Sequence, residues 1–382
     1  MSKNKNKIAL NKNEITKSEK DKAEQIQKKD SSIHPSSRYH LMVREAILLV
    51  GGLGTRLRPL TDHSPKPLLP LAGIPCTTHQ LLKARAAGIT RVVLATSYLA
   101  QTFESTYGDG TALGMELIYA VEEKPLGTGG AIANAGKYLE SESSIFIFNG
   151  DVISGHSLEN QLALHMEKRA SVTLHLTEVA DARAYGCVPI DSENRVEAFL
   201  EKMENPVSNL INAGCYLFNR DVIDSIPIDQ VISVERDVFP ELLKKEGNVF
   251  GFLSQDYWMD LGTPEAFTQT SADFVLGRAK SPAYVHPPAV NRIESALVNP
   301  KAIVEDGSYV APNVSVQGGA RVLSSVLLEG SVVETAVSIS KSFIGRGVRI
   351  GRGAQIVGAA IGDGAIIEPN AVILPGTRIA SA

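Results

Sequence analysis

Between residues 46 and 177, short apolar runs alternate with segments of helical spacing. Residues 46–50 are an apolar run ending in Gly51 and Gly52, and 91–96 and 145–148 read as buried strands. Residues 117–120 and 171–177 read as further strands, and 81–87, 130–139 and 158–168 as helices. Apolar strands separated by helices predict an α/β domain, a parallel or mixed sheet with helices on both faces. In such sheets ligands bind beyond the carboxyl ends of the strands. The polar, glycine-rich segments 51–58 and 149–151 follow strands at that end, so they are expected to build the site.

The pattern changes in the last part of the chain. Val298, Val304, Val310, Val316, Val322 and Leu328 recur every sixth residue, and Ile344, Ile350 and Ile356 continue that spacing. After a one-residue slip, Ile361, Ile367, Ile373 and Ile379 repeat it, with Gly, Asn, Asp and Pro between them. Hexads with turn residues predict a parallel β-helix, each hexad forming one face of a triangular coil. The proline-rich stretch 279–296 before it reads as a linker.

A chain of 382 residues exceeds one ordinary domain. With 43% apolar and 21% charged residues it is neither disordered throughout nor a fibre. No apolar run reaches the ~18 residues of a membrane helix, so no membrane partner is expected. A net charge of −4 offers nothing to nucleic acid. Residues 1–41 stand apart: they are lysine-rich and poor in apolar side chains, which predicts a disordered basic leader. Met42, directly before the first strand, is the alternative start of translation. The organisation expected is leader 1–41, α/β domain 42–278, linker 279–296 and β-helix 297–382. Cys76, Cys187 and Cys215 are odd in number and widely spaced, which fits buried free thiols in a cytoplasmic protein.

The chemistry sits in short motifs. Gly51-Gly52-Leu53-Gly54-Thr55-Arg56-Leu57-Arg58 follows a strand, and such a loop presents backbone N–H groups to an anion. It is not a dinucleotide fingerprint, because Leu57 stands where the third glycine belongs and Pro59 breaks the helix opening. It is not a Walker loop, because no Gly-Lys-Ser/Thr follows. Arg56, Arg58 and Lys66 supply cations for a polyphosphate.

Together with Pro65-Lys66-Pro67, this loop resembles the signature of the sugar-1-phosphate nucleotidylyltransferases, in particular the mannose-1-phosphate guanylyltransferases. The resemblance runs from about residue 44 to the C-terminus. It includes Glu122 to Thr128, Asn149-Gly150-Asp151, Phe199 to Met203, Ile211 to Tyr216, Ser233 to Pro240 and Trp258 to Pro264. It implies a Rossmann-like nucleotidyltransferase sheet followed by a left-handed parallel β-helix. The implied reaction is attack of a sugar 1-phosphate, mannose 1-phosphate, on an NTP, GTP, to give GDP-mannose and pyrophosphate. Gly51, Gly52, Gly54, Thr55, Gly127 and Thr128 would hold the nucleotide, and Arg56 and Lys66 its β- and γ-phosphates. Glu123 would accept from the N1–H and N2–H₂ edge of guanine. Asp151 and Asp260 would hold Mg²⁺, which prefers few carboxylates when substrate phosphates complete its shell. Lys202 would clamp the sugar phosphate, and Tyr185, Gly186, Glu201, Asn212 and Gly214 would contact the sugar. Met203 departs from the family, which commonly has proline there. A glucose-1-phosphate thymidylyl- or adenylyltransferase, or a non-catalytic binder of nucleotide sugars, stays open. Acyl transfer in the coils is opposed by the lack of a histidine beyond His286. The hexad domain implies a homo-oligomer.

Overall fold

A computed structural model describes residues 43–382 except Leu53, 98–99, 246–247 and 285–288. The leader expected over 1–41 lies outside the described residues.

Four parallel strands form one side of the main sheet, in the order Ile145–Asn149, Glu45–Leu49, Arg91–Thr96 and, at the edge, Glu116–Val121. They are the apolar runs read from the sequence, and Ala46, Ile47, Val93 and Ile147 are fully buried. Strands covered on both faces carry near-continuous apolar side chains, which is why they were legible. The rest of the sheet is antiparallel to this set or joined through it. The long strand Leu210–Phe218 pairs antiparallel with Ile145–Asn149 and with Val172–Glu178, and Val249–Leu253 adds a parallel edge. The sheet is therefore mixed. Leu210–Phe218 has no clean period because its register shifts between Asn212 and Tyr216, where Gly214 takes φ 74°. A bulge of this kind bends a strand and re-aims its side chains beside a site.

Two features bring the strand ends together. Gly150 N–H donates to the Leu49 carbonyl at 2.8 Å, and a Cβ at Gly150 would lie 2.4 Å from that oxygen, so only glycine fits. Strand Val152–Ser154 then pairs antiparallel with Trp258–Asp260, setting Asp260 opposite Val152 and one residue diagonal to Asp151.

The C-terminal part forms three stacks of short parallel strands, as a β-helix does. Inward side chains run in columns: Val298, Val316, Val333, Ile350 and Ile367 in one stack, Val304, Val322, Ile339, Ile356 and Ile373 in another. The third column is Val310, Leu327, Ile344, Ile361 and Ile379. Leu327, not Leu328, is thus the stacked residue, and Val333 and Ile339 fill what looked like a gap. The coil is one residue short of three hexads because one corner is tighter. Ser324, Lys341 and Gly358 turn that corner with φ of 46°, 48° and 56°. Behind it, Ser325 N–H donates to Ser308 Oγ at 3.3 Å, Ser342 N–H to Ser325 Oγ at 3.1 Å and Ala359 N–H to Ser342 Oγ at 3.1 Å. Buried hydroxyls are satisfied there by stacking one rung on the next.

The stretch read as linker is partly built into the fold. Asn291–Ile293 pairs with Ser308–Val310 as the first rung, and Tyr284 donates to the carbonyls of Leu71 and Ala72 at 2.8 and 2.9 Å. One apolar cluster runs from the coil interior into the catalytic domain through Leu57, Leu71, Phe267 and Phe274.

Candidate active site

Two cavities meet at Asp151. One, of about 340 Å³, is lined by Gly51, Gly52, Lys66, Glu122, Gly127, Thr128 and Asp151. The other, of about 720 Å³, is lined by Arg56, Asp151, Tyr185, Lys202, Trp258 and Asp260 among others. The first lies at the ends of the parallel strands, where the sequence placed the anion loop. Gly186, Glu201, Asn212 and Gly214 line the second. Gly54 and Thr55 belong to the loop but line neither.

The charges are tightly arranged. Lys66 is buried, and its Nζ lies 2.8 Å from Asp151 Oδ2. Leu261 N–H donates to the Asp151 carbonyl at 2.9 Å, which ties the two aspartate-bearing strands together. A Cβ at Gly262 would sit 3.2 Å from Asp260 Oδ2 and 3.3 Å from both terminal guanidinium nitrogens of Arg56, so these groups crowd one spot. Burial, and then the charge of Asp151, push the Asp260 carboxyl above its ordinary range; Lys66 and Arg56 pull the other way. Asp260 Oδ1 is buried and has no hydrogen-bond partner. An orphaned carboxylate oxygen beside a second carboxylate is a fitting half of a cation site. Among the described residues no group of three metal-ligating side chains exists, so substrate oxygens would have to complete the shell.

On the acceptor side, Lys202 is 68% exposed in its side chain and 3.6 Å from Glu201, with φ of 46° at the residue before Met203. Its N–H donates to the Tyr185 carbonyl at 3.2 Å. The Tyr185 ring meets Trp258 edge-on, with centroids 5.6 Å apart, and Trp258 Nε1 donates to the Ala213 carbonyl at 3.0 Å. Asn212 is already engaged: its Nδ2 donates to Tyr216 Oη at 2.8 Å and its Oδ1 accepts from Gly214 N–H at 3.1 Å. It holds the bulge as well as facing the cleft.

The base loop differs from the expectation. Glu123 is exposed and lines neither cavity. Its neighbour Glu122 lines the nucleotide cavity instead. Glu122 Oε2 accepts from Leu126 N–H at 3.3 Å, while Oε1 is buried without a partner. Burial raises its carboxyl pKa, against the Leu126 hydrogen bond. Successive residues near a strand end face opposite ways, and the pair Glu122-Glu123 gave no signal of which faced inward. Glu235 was missed as well. Thr128 Oγ1 donates to Glu235 Oε2 at 2.8 Å and accepts from Val234 N–H at 2.9 Å, and Glu235 faces the cleft from a π-helical turn. Such turns recur at functional sites. The amides of Gly129 and Gly130 donate to the Ile232 carbonyl at 2.8 and 3.2 Å, so this helix start is spoken for by protein.

Cys76, Cys187 and Cys215 are free and buried, and burial pushes the thiols of Cys76 and Cys215 up to about 12. No thiolate chemistry follows from them.

A mixed Rossmann-like sheet with a glycine loop, a basic cluster and two apposed aspartates defines a nucleotidyl transferase. Residues 45–275 match the nucleotidyl transferase family, and residues 286–361 match the GMPPB C-terminal domain. The chain is 48% identical over 299 residues to a mannose-1-phosphate guanylyltransferase of Mycobacterium tuberculosis, covering 78% of this chain and 83% of that protein. It is 34% identical over 318 residues to mannose-1-phosphate guanylyltransferase 1 of Arabidopsis thaliana, covering 80% and 82%. It therefore belongs to the mannose-1-phosphate guanylyltransferase family. Among solved structures, HddC from Yersinia pseudotuberculosis in complex with GMP-PN superposes with a TM-score of 0.52 at 29% identity, covering 60% of this chain and 99% of that one.

Proposed function

We propose that this cleft transfers the guanylyl group of GTP to mannose 1-phosphate, giving GDP-mannose and pyrophosphate. The observation that carries the reading is the meeting of a nucleotide-sized cavity and a wider cleft at the Asp151–Asp260 pair, with Lys66 and Arg56 beside it. A sugar phosphate is already a dianionic nucleophile near neutral pH, so no general base is needed. One of its oxygens bonds to the α-phosphorus while the bond to the bridging oxygen breaks and pyrophosphate leaves. The protein's task is to hold polyanions in line and stabilise the charge that develops.

Gly51 and Gly52 let the phosphates approach, and Gly127 and Thr128 close the cavity. Arg56 and Lys66 hold the departing phosphates. Lys202, exposed at the far wall, aligns the attacking phosphate, with Tyr185, Gly186, Glu201, Asn212 and Gly214 around the sugar. Asp151 and the orphaned Oδ1 of Asp260 would hold Mg²⁺, which when bound supplies positive charge at the α-phosphate. Assembly into a homo-oligomer through the hexad domain and a cytoplasmic location belong to the same reading. The three free thiols support the latter, and no helix among the described residues is long and apolar enough to cross a membrane.

Glu122 takes the role first given to Glu123. Glu122 lines the nucleotide cavity and its Oε1 lacks a partner, which fits a carboxylate available to the paired N–H donors of guanine, which adenine lacks. A hydrogen bond to a charged group contributes about 1.5–3 kcal/mol, so Glu122→Gln should cut the GTP-over-ATP preference by roughly 10- to 100-fold. Glu123→Gln should leave that preference as it is. Competition assays with the two nucleotides check both, and an unchanged preference in Glu122→Gln removes it from the base site.

The reading as a whole is tested by pyrophosphate release with Mg²⁺ across five nucleoside triphosphates and the 1-phosphates of mannose, glucose, galactose and N-acetylglucosamine. A single peak at GTP with mannose 1-phosphate is expected. A peak at dTTP or ATP with glucose 1-phosphate would keep the mechanism and overturn the substrates. Nucleotide binding without release in any combination would favour a non-catalytic binder.

A further inference from the structure

One stack of the β-helix is covered by the catalytic domain along its outward side. In register, its outward residues are Arg292, Tyr309, Val326, Phe343, Ala360 and Arg378. The four in the middle are only 1–4% exposed, although they point away from the coil interior. The neighbouring stack carries Leu297 and Ile366 at equivalent outward positions, and they are 76% and 68% exposed. The covered stack packs against the helix Pro264–Val275, with the rings of Phe343 and Phe267 6.0 Å apart. A Cβ at Gly73 would lie 2.8 Å from the Tyr309 ring, so contact is close at the other end as well.

This column ends on the phosphate loop. Arg378 Nη1 donates to the Arg56 carbonyl at 2.6 Å and points to the Arg58 carbonyl at 3.4 Å. Ser381 Oγ donates to Asp62 Oδ2 at 3.1 Å, beside the same loop. The Arg56 carbonyl needs an outside donor. The turn Thr55–Leu57 is 3₁₀, so its natural donor would be the N–H three residues on, and that residue is Pro59, which has none. Leu60 N–H, the next donor along, is taken by the Leu57 carbonyl at 2.9 Å. Arg378 supplies what the local sequence cannot. Meanwhile Leu57, 1% exposed, anchors the inner side of the turn in the apolar cluster shared with the coil.

We infer that Arg378 is a positioning residue for nucleotidyl transfer: from the last rung of the β-helix it holds the Arg56 and Arg58 carbonyls and thereby fixes the loop whose Arg56 side chain stands beside Asp260. The β-helix is then part of the catalytic apparatus as well as a scaffold. This rests on the proposed function for its kinetic readout, but its structural readout is independent of it.

The test compares wild type with Arg378→Ala, Arg378→Lys and, as a control, Arg321→Ala, an exposed arginine on another stack. Misplacement of a positioned group by about 1 Å costs up to roughly 100-fold, so kcat/KM for GTP in Arg378→Ala should fall about tenfold or more. KM for mannose 1-phosphate and the thermal midpoint should stay within error. Arg378→Lys, which keeps a charged donor on a shorter side chain, should fall between. Millimolar guanidinium ion should restore part of the rate to Arg378→Ala and none to wild type. Amide exchange measured in a peptide spanning residues 51–62 should quicken in Arg378→Ala and not in Arg321→Ala. Unchanged exchange in that peptide overturns the inference whatever the kinetics. So does a rate loss shared equally by both substrates, tracking a lower midpoint and untouched by guanidinium. A wild type inactive with GTP counts against the proposed function alone, because the exchange result still decides the role of Arg378.

Discussion

Asp260→Asn should lower turnover by about three orders of magnitude and leave the thermal midpoint of the metal-free protein unchanged or higher. Loss of a metal-assisted transition state costs several kcal/mol, and each 1.36 kcal/mol is tenfold in rate. The stability half of the prediction follows from the environment. Asp260 is pushed toward its protonated form by burial first and by Asp151 second, and its Oδ1 has no partner. The raised pKa means that, above the ordinary carboxylate range, the ionised group is worse off folded than unfolded, so an uncharged amide removes a cost. Asp151→Asn should differ. It also lowers turnover, but it removes the negative charge that faces the buried Lys66 at 2.8 Å, so its midpoint should drop. Steady-state kinetics with a melt of each variant separates the two. Near-normal turnover in Asp260→Asn would remove it from the metal site.

Arg56→Ala should lower turnover by about 100- to 1,000-fold, in the range found when a donor to a developing oxyanion is lost. Arg56 is exposed and lines the cleft, and its guanidinium and Asp260 Oδ2 both flank Gly262. No buried contact of the side chain is lost, so the fold should be intact. KM for GTP should rise more than KM for mannose 1-phosphate, because the departing phosphates are on the nucleotide. Arg56→Lys should recover only part of the rate, since an ammonium lacks the planar fork that grips two oxygens. Equal effects on both substrates would move Arg56 from the pyrophosphate side to the acceptor side.

The chain's organisation was legible wherever it rests on short-range pattern. Parallel strands buried on both faces announce themselves as apolar runs, and the stacked coils as hexads, because every residue in them repeats its neighbour's environment. The anion loop drew attention because its residue types suit an anion, and the two aspartate motifs because they resemble those of the family. Three things were not. Leu210–Phe218 hides its period at the bulge, so the strand that makes the sheet mixed was not itself read as a strand. The choice between Glu122 and Glu123 depends on which way one residue faces, and alternation reverses that with a single step. The tight corners at Ser324, Lys341 and Gly358 each shortened the coil that contains them and shifted the column from Leu328 to Leu327.

By itself the sequence determined the two architectures, the strand ends that bear the site, and the residue types available to polyphosphate, metal and sugar phosphate. Tertiary structure decided which of those groups touch. Lys66 meets Asp151, Thr128 meets Glu235, and Arg378 meets the Arg56 carbonyl more than three hundred residues away. The reason is physical. Local periodicity reports which face of an element is apolar, but not which other apolar face will cover it. Only the packing of the coil's outward column onto the Pro264–Val275 helix sets where that column ends, and therefore which loop Arg378 can reach.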